Sequence, residues 1–185
     1  MNTIKMNKLL PVSSISDILP DYIDTPIGLL FEYHNLNRFY ESYEKAQLLV
    51  GMCMDNRKHL HIPDNFAFII RSGGANLRYS EFKVSYAIAV GSVNHIVLIG
   101  HNNCGMVNLI SREPEFINGL VNTAGWERER AEEHFMHFAP MFEIGNETDF
   151  ILSETKRLRL RYPKIKIAPL YYKVDDNKLY FIQED

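Results

Sequence analysis

An α/β fold is predicted for this chain, with a central, mainly parallel β-sheet flanked by helices. Three observations carry it. Short, continuous apolar runs recur along the chain, as strands covered on both faces require. Segments with helical spacing separate them, the pattern of β-α units. A turn signature, Asp175-Asp176-Asn177, parts the last two runs and makes that final pair antiparallel.

Taken in order, residues 1–30 read as an irregular arm, because Pro11, Pro20 and Pro26 interrupt any long helix. Asn35 to Gln47 has helical spacing in Leu36, Phe39, Tyr40 and Tyr43, and is expected to form a helix feeding the first strand. Leu48 to Met52 is that strand, and Phe66 to Ile70 the second. Glu81 to Val90 reads as a helix with Phe82, Tyr86 and Ala89 on one side. His95 to Ile99 is the third strand, and a helix is expected to begin near Cys104 and to include Asn108 to Ile110. Residues 111–147 form a helical insert, strongly charged from Glu127 to Phe138. Phe150 to Leu160 is a further helix whose basic C-terminal end suits the helix dipole. Ile165 to Ala168 and Leu179 to Ile182 are the fourth and fifth strands.

The bulk numbers describe an ordinary globular chain. Its 185 residues suggest one domain, 1–185, with 46% hydrophobic and 23% charged residues. A net charge of -3 gives no support to a nucleic-acid partner. No apolar stretch approaches the roughly 20 residues needed to cross a bilayer. The first ten residues lack a signal-peptide core, and two cysteines make no disulfide scaffold, so a reducing, cytoplasmic setting is expected.

Those two cysteines hold the chemistry. Ligand sites of open α/β sheets lie beyond the carboxyl ends of the strands, where strand order reverses. Cys53 follows the first strand, Arg71 the second and His101 the third, with Cys104 three residues on. Two thiolates and an imidazole make three zinc ligands, and three protein ligands leave a fourth position open, as in catalytic zinc sites. Two thiolates cancel the ion's charge, so neighbouring groups matter more to its acidity. On an extended segment Cys53, Asp55 and Arg57 project to one side. Arg57 can then hold Asp55 off the metal by a bidentate pair, leaving the carboxylate free to accept a hydrogen bond from a zinc-bound hydroxide.

Cys53-x-Asp55-x-Arg57 with a distant His101-x-x-Cys104 resembles the β-class carbonic anhydrases. Phe68 to Asn76 is similar to that family's strand and glycine loop, Val97 to Gly105 to its Gly-His-x-x-Cys-Gly segment, and Tyr172 to Leu179 to its closing hairpin. The resemblance covers residues 45–110 well and 148–182 loosely. It implies a parallel sheet of order 2-1-3-4 with an antiparallel fifth strand, in a homodimer or a multiple of dimers. It implies zinc on Cys53, His101 and Cys104, and a gating dyad of Asp55 and Arg57. The implied reaction is reversible hydration of carbon dioxide to bicarbonate and a proton. Three departures stand out: Asn56 where a serine is common, Ser72-Gly73-Gly74-Ala75 in the glycine loop, and Ala168-Pro169-Leu170 before the hairpin.

Other readings remain open beside this one. The same zinc chemistry suits carbonyl sulfide or carbon disulfide, which like carbon dioxide lack polar handles. A family member that keeps zinc as a scaffold is a second class, and a redox dithiol a third, although no Cys-x-x-Cys is present. Arg71 reads as a polar strand end or a dimer contact. Gly73-Gly74 reads as a turn, since no P-loop lysine follows. His134 and His137 read as a solvated helix face, and Trp126, Tyr171 and Tyr172 as packing. His59 or His61 is a candidate proton relay, set against ordinary loop placement.

Overall fold

The structure is a computed structural model and describes residues 8–184. Six strands form one sheet: β1 (Leu9–Pro11), β2 (Leu48–Met52), β3 (Ala67–Arg71), β4 (His95–His101), β5 (Lys166–Lys173) and β6 (Lys178–Ile182). Their order is β1-β6-β5-β4-β2-β3. β3, β2, β4 and β5 run parallel, while β6 and β1 are antiparallel to their neighbours. The five strands read from the sequence thus lie in the order 2-1-3-4-5, with one more at the edge.

That extra strand corrects the reading of the first 30 residues as irregular. Leu9–Pro11 pairs with β6, and the buried amide of Asn35 ties the arm down by donating to the carbonyls of Val12 and Leu179. The predicted helix over Asn35 to Gln47 is also displaced. The helix is α1, Pro26–Leu36. Pro26 starts this helix instead of breaking it, because proline at the first turn has no intrahelical N–H to lose. Thr25 caps that end by accepting from the Gly28 amide, and Asn37 stops the helix in the left-handed region at φ 56°. The aromatic residues beyond it lie outside any helix: Phe39 is 94% exposed, while Tyr43 packs edge-on against Tyr33 and Phe66.

The sheet buries both faces by strand alternation. Leu48, Val50 and Met52 of β2 with Val97 and Ile99 of β4 pack against Ile27, Leu30 and Phe31 of α1. Leu49, Ile96 and Leu98 point the other way. They meet Val84 and Ala87 of α2 (Glu81–Ala89) and Ile151 and Leu158 of α5 (Glu147–Arg161). Each such side chain contributes roughly 1.5–3 kcal/mol by leaving water. α2 turns its other side outward, so Phe82 and Tyr86 are exposed. β3, the far edge, also leaves Phe68 and Ile69 partly uncovered. α5 closes tightly on β4 at Gly100, where a Cβ would lie 2.8 Å from Ile151 Cγ1.

Residues 111–147 contain α3 (Glu113–Ala124) and α4 (Arg128–Phe142), which pack against each other as a hairpin. No helix begins at Cys104. The chain turns there, Val107 N–H donating to the Cys104 carbonyl, and a short 3-10 segment follows at Leu109–Arg112. β5 runs past its predicted end through Pro169, whose neighbour on β4 is Leu98. Pairing with β6 begins one residue later, at Leu170.

Candidate metal centre

β2 and β4 are adjacent, and β3 lies on the far side of β2, so strand order reverses between β2 and β4. Met52 is level with Ile99 in that pairing. Cys53 therefore leaves the sheet beside His101, and the turn after His101 brings Cys104 back. The ligand atoms of Cys53, His101 and Cys104 all lie within 4.8 Å of one another, and all three residues are buried. The two sulfurs are 3.9 Å apart.

The donor set fits a metal cation in three respects. First, His101 Nδ1 is 2.9 Å from the Asn102 carbonyl, which can only accept. The proton therefore sits on Nδ1, and Nε2 carries a bare lone pair. That Nε2 is buried with no hydrogen-bond partner. A carbonyl on the far nitrogen is the usual support of a ligating histidine. Second, the backbone N–H groups of Asp55 and Gly74 favour the thiolate form of Cys53, and that of Met106 favours it at Cys104. Third, two buried sulfurs this close do not both ionise without a cation. Hydrogen bonding from Cys104, helped by the amides and opposed by burial, holds Cys53 well below the usual thiol range. The same shared proton, with burial, pushes Cys104 up. Zinc takes Cys sulfur and His nitrogen.

The dyad is formed side by side. Arg57 Nη2 lies 2.6 Å from Asp55 Oδ2, and its Nε 3.0 Å from Oδ1. The Arg57 amide also donates to Oδ1 at 2.9 Å. Arg57 Nη2 is in turn held by the Asn103 carbonyl at 2.9 Å, which ties the dyad to the turn bearing Cys104. These bonds from Arg57, led by the guanidinium, keep the Asp55 carboxyl well below the usual carboxylate range. Among the described residues, the metal-ligating cluster includes no carboxylate.

Several groups support the site, and three of them, Lys58, Asn102 and Glu147, had no signal of their own in the sequence. Lys58 is fully buried beside Asp55. Asn102 accepts from the Val174 amide and donates to Asp175, pinning the closing hairpin over the His101 turn. Glu147, at the start of α5, accepts from the Cys104 amide at 3.4 Å. Gly74 lies at φ 61°, a conformation that suits glycine, with Ile144 packed against it. Arg71 is a polar strand end that braces the loop, donating to the carbonyls of Cys53, Asp55 and Lys58.

Other candidate residues fall elsewhere. His61 packs against His34, with ring centroids 5.4 Å apart. His134 stacks among Phe116, Trp126 and Phe138. Neither joins a metal-ligating cluster among the described residues. An apolar cavity of about 660 Å³ lies under the α3–α4 hairpin, walled by Met54, Gly73, Met106, Phe116 and Phe142 among others. Met106 also packs on the Cys53–Cys104–Ile144 cluster, so it borders both the cavity and the cluster.

The carbonic anhydrase family profile matches residues 52–159, which is more than half of the chain. The chain belongs to the β-carbonic anhydrase family. The match spans all five site residues and the α3–α4 hairpin. Among solved structures, the β-carbonic anhydrase isoform I of Trichomonas vaginalis has a TM-score of 0.63 at 18% identity, covering 80% of this chain and 88% of that one. Carbonic anhydrase from Streptococcus mutans gives 0.57 at 17%, covering 90% and 100%. A carbon disulfide hydrolase gives 0.54 at 18%, covering 90% and 93%. At such identities these likenesses establish the β-carbonic anhydrase fold. A comparison with curated proteins gives no significant match.

Proposed function

We propose that this family member hydrates carbon dioxide reversibly to bicarbonate and a proton, with zinc held by Cys53, His101 and Cys104. The observation that carries this reading is the bare, buried Nε2 of His101 facing two sulfurs beside an ionised Asp55. Bound zinc would act as a Lewis acid that lowers the pKa of water toward neutrality.

The chain's own residues supply the rest. Asp55, kept ionised by Arg57, offers a hydrogen-bond acceptor to water entering the site and orients it. Arg57 prevents that carboxylate from wandering, since its guanidinium grips both oxygens. The Asn102 carbonyl fixes the His101 tautomer. Met106, Val107 and Ile144 present an apolar wall, suited to a substrate without polar groups.

The large apolar cavity favours one second reading: the same site acting on carbonyl sulfide or carbon disulfide. Stopped-flow assays of zinc-loaded protein with each of the three substrates separate the two. Turnover of carbon dioxide supports the first reading. Turnover confined to the sulfur compounds supports the second, and inactivity with all three at full zinc loading would leave a scaffold.

A homodimer, or a multiple of dimers, is part of the proposal. The open edge of β3, with Phe68 and Ile69, and the exposed Phe82 and Val90 at α2 support it, since such surface is normally covered. A cytoplasmic location fits the two free cysteines. Among the described residues, no helix is long and apolar enough to cross a membrane.

A further inference from the structure

Lys58 is the only lysine buried among the described residues, with no exposed surface. A dehydrated ammonium is costly and is kept only where it is paired. Its partner is Asp55: Nζ donates to the Asp55 carbonyl at 3.2 Å and lies 3.8 Å from Oδ1. Yet Arg57 already neutralises that carboxylate. The pairing of Asp55 alone therefore does not require a second cation, and the Cys53 and Cys104 sulfurs are the other negative groups that Lys58 faces.

The two cations differ in their surroundings. The Arg57 side chain is 43% exposed, so water screens its pull on Asp55. Lys58 acts from the dry side, where the same charge pulls harder. Its own backbone is fixed, because Arg71 donates to the Lys58 carbonyl at 3.1 Å. The same guanidinium donates to the Asp55 carbonyl. The ammonium thus spans two oxygens of one residue from a braced position.

We propose that Lys58 is a positioning residue: its buried ammonium, gripping the carbonyl oxygen and Oδ1 of Asp55, keeps that carboxylate on Arg57 and away from the Cys53–His101–Cys104 cluster. A carboxylate released from this grip is itself a zinc ligand and would close the position that substrate chemistry needs. The proposal rests on the metal reading of that cluster.

The test uses cobalt(II) in place of zinc and thiocyanate as an anion probe, read by visible absorption. Wild-type protein should bind one cobalt and shift its spectrum as thiocyanate enters. K58M, which removes the charge and keeps an apolar stem of similar length, should bind cobalt equally but thiocyanate roughly tenfold more weakly or worse. Its kcat should fall while KM changes little. The double variant K58M/D55N should regain the thiocyanate affinity of D55N without regaining activity. Wild-type thiocyanate affinity in K58M overturns the proposal. So does a double variant as weak as K58M, because the loss would then reflect missing positive charge. K58Q gives the same readings should K58M fail to fold. Failure of the underlying metal reading shows separately, as a wild-type protein that takes up no cobalt.

Discussion

His101 and His34 are both buried, and each has an Nε2 without a hydrogen-bond partner, yet the two are in opposite chemical situations. His101 gives its Nδ1 proton to the Asn102 carbonyl, so its Nε2 is a bare lone pair beside two sulfurs. His34 accepts the His61 amide on Nδ1 at 3.1 Å, so its Nε2 carries the proton, and it joins no metal-ligating cluster among the described residues. An orphaned nitrogen is therefore a ligand only when its partner nitrogen is a donor. His34 is instead a neutral core histidine. Burial, and then the nearby charges of His61 and Lys178, lower its pKa to about 4, while the Asn177 carbonyl works weakly in the other direction.

The contrast breaks first at the metal. Cys104→Ser should leave zinc well below one per chain and reduce carbon dioxide hydration to the background rate. His101→Gln should weaken zinc by roughly a hundredfold or more, measured by competition with a chelator, while His34→Gln leaves zinc binding unchanged. Equal losses from both would erase the distinction between the two histidines.

Asp55→Asn sharpens the same comparison within the site. The variant should keep one zinc per chain and lose roughly 10²–10³-fold in kcat. Metal loss in D55N, detected by elemental analysis, would make Asp55 a ligand instead of a gate.

Acid titration reads the His34 side. Its folded pKa of about 4 lies below the usual 6.5, so below pH 6.5 the unfolded chain binds a proton that the native state refuses. Stability contributed by neutral His34 is complete above pH 6.5, declines as pH falls and levels off near pH 4. The total is roughly 3 kcal/mol. Urea unfolding at pH 7 and pH 5 should therefore differ by about 2 kcal/mol more in wild type than in His34→Leu. Comparing the two proteins cancels the shared thiol chemistry, and parallel pH profiles would refute the assignment.

The smallest effect belongs to the glycine loop beside the Cys53 sulfur. Gly74→Ala at φ 61° should cost about 1 kcal/mol and lower Tm by a few degrees with zinc retained.

Much of the site is legible in the sequence. Cys53, Asp55, Arg57, His101 and Cys104 stand at strand ends, and apolar runs mark strand ends plainly, so one sheet edge gathers them. The elements that the sequence misplaces share a physical cause: the same residue type serves two purposes. Pro26 starts a helix, although elsewhere proline ends one. Pro169 sits inside a strand, at a place one residue short of antiparallel pairing. Phe39 has helical spacing but stands in solvent, and Tyr40 and Tyr43 reach the core only as edge contacts on Tyr33. The supports of the site are hidden for a different reason. Lys58, Asn102 and Glu147 act through contacts that depend on how distant segments meet, and no local spacing encodes that.

The most direct measurement is stopped-flow carbon dioxide hydration by wild-type protein whose zinc content is determined on the same sample. One zinc per chain, with hydration that scales with zinc and disappears in C104S, is the expected result. One zinc per chain with no hydration above background would contradict the proposed function.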